Sequence, residues 1–240
     1  MKRQYTFGEF TDIIKELRSD HGCPWDREQT HNSLKPCISE ETAELLAAIR
    51  IYDTKGNYEN MREELGDILL QVVMHSQIAK EEGLFSIEDV ITEISEKMIR
   101  RHPHVFGDVK ADTAEEVLNN WDDIKKKEKE NQSWIESPFM EIPLELPALT
   151  RASKVLKKQD KLYQGVPSQK EALCDLKACI SKMENLLEEG FSDKTELEEC
   201  FAKALLNMSN IAMKNKIASE QLLMDEIEKI IDKYEVKNGK

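Results

Sequence analysis

Five carboxylates in two short runs set the strongest limit on how this chain folds. Glu40, Glu41 and Glu44 stand in SEETAELL; Glu64 and Asp67 stand in REELGDILL. On a helix, positions three and four apart share a face. Glu41 and Glu44 therefore point the same way, Glu40 lies over Glu44, and Glu64 lies over Asp67. Between the runs, TKGN (Thr54 to Asn57) marks where one helix stops and another begins. If the two helices are antiparallel neighbours, the clusters meet across the seam.

Like charges gathered in this way repel, and desolvation sharpens the repulsion, so something positive must offset it. Oxygen ligands with no Cys or His among them suit a hard cation, Mg²⁺ or Mn²⁺. The competing reading is a solvated acidic surface, which is common in a chain that is 34% charged. Both runs, however, are embedded in apolar residues: Leu45, Leu46 and Ile49 around the first, Leu65, Ile68, Leu69 and Val72 around the second. Gly66 also sits between Glu64 and Asp67. A glycine inside a helix costs roughly 1 kcal/mol relative to alanine, and it permits a neighbouring helix or ligand to come close.

Hydrophobic residues make up 40% of the 240, enough for a core in one large domain or two small ones. Only 9 Gly and 7 Pro are present, and β-branched and aromatic content is modest, which favours long helices over sheet. No apolar run approaches the ~20 residues that span a bilayer. The first residues, MKRQYTFGEF, contain no apolar signal region, so a cytoplasmic location is expected. Five cysteines without a CxxC motif read as reduced thiols rather than as a disulfide framework or zinc knuckle. A net charge of −13 argues against a nonspecific nucleic-acid surface. It does not exclude nucleotides, because a bound divalent cation inverts the local field.

Along the chain, residues 6 to 18 carry Phe10, Ile13, Ile14 and Leu17 at helical spacing. HGCPWDREQT reads as a loop, with Trp25 either plugging the end of a bundle or serving a lid or substrate role. A second helix, opened by Pro36, covers about Ser39 to Tyr52. A third, about Glu59 to Glu82, is the most apolar, holds His75 as a core or surface histidine, and is ended by Gly83. Ser86 caps a fourth helix that runs to about Arg101, with Asp89 completing a capping box. Near its end Lys97 and Arg101 share a face. Cations there suit the helix dipole, and they equally suit phosphate. His102 and His104 flank Pro103, with no third ligand of their type nearby. Thr113 caps a fifth helix on which Trp121 and Lys125 face together, either as core and surface or as a nucleotide contact. The KKKEKE run that follows reads as a solvated face.

Residues 131 to 149 hold three of the 7 prolines and no helical period. The expected domains are 1–130, a linker at 131–146, and 147–240. Helices resume over Pro147–Leu162, Ser168–Glu189, Asp193–Lys216 and Ala218–Val236. EISEKMIRR (93 to 101) matches DEIEKIIDK (225 to 233) in charge and apolar pattern. Carried backwards, that register places Ala178, Cys179 and Lys182 where Glu40, Glu41 and Glu44 stand in the first half, and Cys200 and Lys203 where Glu64 and Asp67 stand. The second half thus reads as a degenerate copy that keeps the apolar frame and lacks the ligands for a cation.

These residues resemble the MazG-type nucleoside triphosphate pyrophosphohydrolases, whose pattern is EExxE, a spacer, then ExxD. CPWD (Cys23 to Asp26), SEETAEL, REELGDILLQVV, RRHPHVFGD and NWDDIKKKEK all look like that family, over about residues 7 to 130. The resemblance implies an all-α, MazG-like four-helix bundle, in tandem with the degenerate second copy, and pairing with a second subunit as a homodimer. It further implies Mg²⁺, with Mn²⁺ as an alternative, held by Glu41, Glu44, Glu64 and Asp67. It implies that Lys97 and Arg101, together with Trp121 and Lys125, engage a nucleoside triphosphate. The reaction it implies is NTP plus water giving NMP plus diphosphate, in the house-cleaning of nucleotides, carried by the first half. Glu40, least needed as a ligand, is then free to orient or deprotonate the water. The alternative is a helical module that binds nucleotides or a partner without turnover. A di-iron carboxylate bundle would need ExxH pairs, and neither cluster has one.

Overall fold

The computed structural model describes residues 3–110, 113, 115–117, 120, 121, 124, 128, 136–190 and 194–237. Its regular structure is all helix, with no strand among the described residues. The chain forms two compact units, Met1–Lys129 and Glu130–Lys240.

In the first unit the elements are α1 (Phe7–Leu17), α2 (Pro24–Glu28), α3 (Lys35–Lys55), α4 (Glu59–Glu81), α5 (Ile87–Arg101) and the one-turn α6 (Pro103–Phe106). The long helix α4 is the hub, packing chiefly on α3 and also on α1 and α5. Local chemistry sets the boundaries. Thr6 and Glu9 form a capping box at α1, as do Ser86 and Asp89 at α5. Gly56, at φ 70°, closes α3 by donating its N–H to Tyr52 O. Past the end of α4, Gly83 N–H donates to Lys80 O and Leu84 N–H to Ala79 O. That double return needs a left-handed residue, which glycine supplies at φ 73°.

The core lies toward the C-terminal half of α4. Val73, Met74 and Ile78 pack with Ile14 of α1 and Leu34 just before α3, and Phe10, Leu17, Cys37, Leu70 and Ile87 close around them. Two sequence expectations are corrected here. CPWD is a helical turn rather than a loop, because Pro24 at its first position is preset for a helix. Trp25, at 60% exposed, does not plug the bundle.

His75 is half-buried, and its Nδ1 lies 2.7 Å from His31 Nδ1, with the rings near-parallel. One nitrogen must donate and the other accept, so the pair requires at least one neutral ring. Desolvation, then the nearby His31, lowers the His75 pKa below the ordinary 6.5. As pH falls below 6.5, the unfolded chain takes up this proton before the folded protein does, so stability declines with falling pH through that window. Glu82, 3.7 Å from His31 Nε2, is the facing acid. Thermal melts of His75→Asn against the parent should show the slope flattened in the variant; equal slopes would remove His75 as its source.

The second unit carries a 3₁₀ turn at Pro138–Glu141, then α7 (Ala148–Tyr163), α8 (Gln169–Glu189), α9 (Thr195–Lys214) and α10 (Ser219–Lys237). Helix α9 packs against both α8 and α7, and α10 rests on α7. Glu220, in the first turn of α10, accepts the N–H groups of Leu149 and Thr150, orphan donors at the start of α7. Ser168 and Glu171 form a capping box at α8.

Candidate metal centre on the helix hairpin

The α3–α4 hairpin brings the two acidic runs together. One carboxylate oxygen from each of Glu41, Glu64 and Asp67 lies within 4.8 Å of the others. Among the described residues this is the one such group of three. Glu64 is buried, 7% exposed, and Glu41 and Asp67 are half-buried. Glu40 and Glu44 are exposed on α3. Their charges still reach the site: Glu44 acts on both Glu41 and Glu64, and Glu40 on Glu41.

Desolvation is the main cause that raises the Glu41 pKa above the ordinary 4.5, followed by the charges of Asp67, Glu44, Glu64 and Glu40. Glu64 is raised too, again first by desolvation, with Glu44, Asp67 and Glu63 adding to it. Asn60 opposes this by donating Nδ2–H to Glu64 Oε1 at 2.5 Å. Asn60 is one turn before Glu64 on α4 and orients its carboxylate. The i, i+4 spacing of Asn60 and Glu64 is readable in the sequence.

This donor set fits a hard divalent cation. An octahedral Mg²⁺ with ligands at about 2.1 Å needs oxygens roughly 3 to 4 Å apart, which a small side-chain adjustment within the present group provides. Burial and the neighbouring acids together hold Glu41 and Glu64 above the ordinary carboxylate range, and a bound cation would offset both. Gly66 has nothing within 4 Å of where a Cβ would stand. The close approach anticipated there is made by none of the described residues.

Of the expected phosphate and base groups, Lys97 and Arg101 lie in the last turns of α5. Lys97 is half-buried. The Arg101 guanidinium lies 5.3 Å from the Trp121 ring centroid, and the His102 ring meets the same indole edge-on at 5.0 Å. His102 Nδ1 bonds Met98 O at 2.6 Å. Lys125 lies outside the described residues. Sequence reasoning missed Glu128, which belongs to the run read as a solvated face. It is 17% exposed at the side chain and pairs with both Arg100 and Arg101.

In the second unit, Lys182 pairs with Glu196 and Lys203 with Glu199, so two of the positions matched to acids carry ion-paired lysines. Cys200 is buried and Cys179 half-buried.

Fold and site together define an all-α protein whose helix hairpin carries an oxygen-only acidic centre suited to a divalent cation. Residues 29–106 match the MazG nucleotide pyrophosphohydrolase domain. The MazG nucleoside triphosphate pyrophosphohydrolase/pyrophosphatase of Thermotoga maritima is 41% identical over 230 residues, covering 95% of this chain and 84% of that one. The chain therefore belongs to the MazG family. The nucleoside triphosphate pyrophosphohydrolase of Escherichia coli K12 is 44% identical over 147 residues, 61% of this chain and 54% of that one. YabN, an uncharacterized protein of Bacillus subtilis, is 53% identical over 154 residues, which is 64% of this chain but only 30% of that protein. No helix among the described residues is long and apolar enough to cross a membrane.

Proposed function

We propose that the chain is a Mg²⁺-dependent nucleoside triphosphate pyrophosphohydrolase that cleaves NTP and water to NMP and diphosphate, with the first unit as the catalytic one. The observation that carries this reading is the convergence of Glu41, Glu64 and Asp67 from two helices into one acidic group. Membership of the MazG family supports the reaction class. Glu41, Glu64 and Asp67 would hold the ion, with Glu44, whose charge reaches Glu41 and Glu64, as the fourth acid. A divalent ion bound there neutralises triphosphate charge and lowers the pKa of bound water. Glu40, beside the cluster and exposed, orients or deprotonates the attacking water. Lys97 and Arg101 compensate phosphate charge, and Trp121 and Lys125 pack near the base or sugar. Clearing surplus or noncanonical nucleotides in the cytoplasm is the role that fits. The test is product analysis with a panel of ribo- and deoxynucleoside triphosphates. NMP and diphosphate should appear in equal amounts with Mg²⁺ and vanish with a chelator. Nucleotide binding without either product would favour a non-catalytic module instead.

The second unit serves as a degenerate copy without an ion of its own, since paired lysines stand at the matched positions. The active form is a homodimer. Leu65, Leu69 and Val72 line one face of α4, and Leu46 and Ile49 lie on α3; all five are between 38% and 55% exposed. An apolar stripe this long on two long helices is what a partner bundle covers. Leu69→Lys should convert the dimer to monomer in sedimentation experiments and lower the melting temperature. A variant that stays dimeric would place the interface elsewhere.

A further inference from the structure

Arg100 and Arg101 both give their Nε–Nη2 edge to Glu128. Arg100 Nε donates to Oε1 at 2.8 Å, with its Nη2 2.6 Å away. Arg101 Nε and Nη2 donate to Oε2 at 3.1 and 2.6 Å. Each carboxylate oxygen thus takes one guanidinium edge. That edge is one of the two on which arginine presents a pair of parallel N–H groups, and it matches carboxylate and phosphate alike. An anion from solution cannot use it while Glu128 is there. We propose that Glu128 is an internal competitor for phosphate, occupying the Arg100–Arg101 fork until a triphosphate displaces it. The inference rests on the reading of Arg101 as a phosphate group.

A plain positioning role for Glu128 is the rival, and two observations weigh against it. Arg101 stays oriented without its acid partner, because its guanidinium lies against Trp121, itself braced by His102. Arg100 is 51% exposed at the side chain, so Glu128 draws in a group that would otherwise be free to meet an incoming ligand. One carboxylate against two guanidiniums leaves a net positive charge, and a triphosphate carries several negative charges against Glu128's one. Exchange therefore favours the ligand on charge alone, while the internal carboxylate makes the site reject weaker anions. Hydrogen bonds from Arg101, then from Arg100, hold the Glu128 carboxyl below the ordinary glutamate pKa, so it stays ionised and competes across the neutral range.

The experiment titrates full-length protein with an α,β-methylene nucleoside triphosphate and Mg²⁺, an analogue whose α–β bridge cannot be hydrolysed, and pairs this with steady-state kinetics on NTP. Glu128→Gln should bind the analogue about tenfold tighter, the size expected for removing one charge-assisted competitor. KM should fall in proportion and kcat should change little. Glu128→Asp, which keeps the charge on a shorter arm, should fall between. Glu128→Ala serves as the second variant if the amide perturbs folding, and melting curves report that directly. Unchanged or weaker binding in Glu128→Gln and Glu128→Ala would overturn the competitor and make Glu128 a positioning residue. Failure of the underlying phosphate reading looks different: Arg101→Gln would then bind the analogue as tightly as the parent.

Discussion

Glu64→Gln and Asp67→Asn should each lower turnover about a hundredfold or more while making the protein more stable in the presence of a chelator. The two effects have one cause. Glu41, Glu64 and Asp67 put three carboxylate oxygens within 4.8 Å, and desolvation and the neighbouring acids raise both Glu41 and Glu64. Without an ion the acids repel, and Glu64 does so while buried. Neutralising one member relieves that repulsion, so the variants should melt above the chelated parent. With Mg²⁺ the order reverses. The parent gains stability by linkage, about 2.7 kcal/mol when the ion is at a hundred times its Kd, and the variants, which bind it weakly, do not. Loss of the ion also removes charge stabilisation from the reacting phosphate, which sets the fall in turnover. Differential scanning fluorimetry across Mg²⁺ concentrations and a diphosphate-release assay read both halves. Variants that keep parental turnover and the parental Mg²⁺ shift would place the ion elsewhere.

The acidity of the site gives the same prediction a pH axis. Glu41 and Glu64 titrate above 4.5 in the folded protein, chiefly because of desolvation. Between that value and their raised ones the folded state holds more protons than the unfolded chain. Chelated protein therefore loses stability as pH rises through this window, opposite in sign to the His75 contribution. Glu64→Gln should remove part of the acid-side gain.

What could be read from the sequence follows from what is local. The carboxylate pairs were legible because helix geometry fixes which residues share a face, and the TKGN break told where the hairpin turns. Ser86–Asp89 and Gly83 were legible for the same reason: caps depend on a few neighbouring residues. The grouping of Glu41 with Glu64 and Asp67, leaving Glu44 exposed, was not, because it depends on the rotation of α3 against α4. Glu128 was misread for a related reason. In a run of lysines and glutamates every charge looks solvated, and only the fold shows that one glutamate lies beside two arginines 27 and 28 residues earlier. Trp25 was open to two readings because a tryptophan after proline and before aspartate has no periodicity to report which way it faces.

Arg18 carries no motif, yet its replacement should be among the most damaging substitutions in the first unit. It is the C-cap of α1, and its side chain is only 6% exposed. Nε and Nη2 grip both oxygens of Glu81 near the end of α4, at 2.7 to 3.1 Å. Nη1 donates to the carbonyls of Asp26 and Gln29, in and just past α2. One guanidinium thus ties together α1, α4 and the CPWD turn, over the core built on Ile14 and Ile78. Arg18→Ala takes the Nη1 donor from Gln29 O and vacates packed volume, while Asp26 O keeps the N–H of Gln29; Glu81, 38% exposed, can turn to water. The expected loss is therefore set by the Gln29 carbonyl left without its donor and by the lost packing, about 2–3 kcal/mol, or on the order of 10 °C for a domain of this size. Glu81→Gln should cost only about 1 kcal/mol, as for an exposed ion pair, because Arg18 keeps its carbonyl partners. A double-mutant cycle in denaturant separates the two contributions. If Arg18→Ala cost no more than Glu81→Gln, the carbonyl contacts would contribute nothing, and the CPWD turn would be held by its own helix alone.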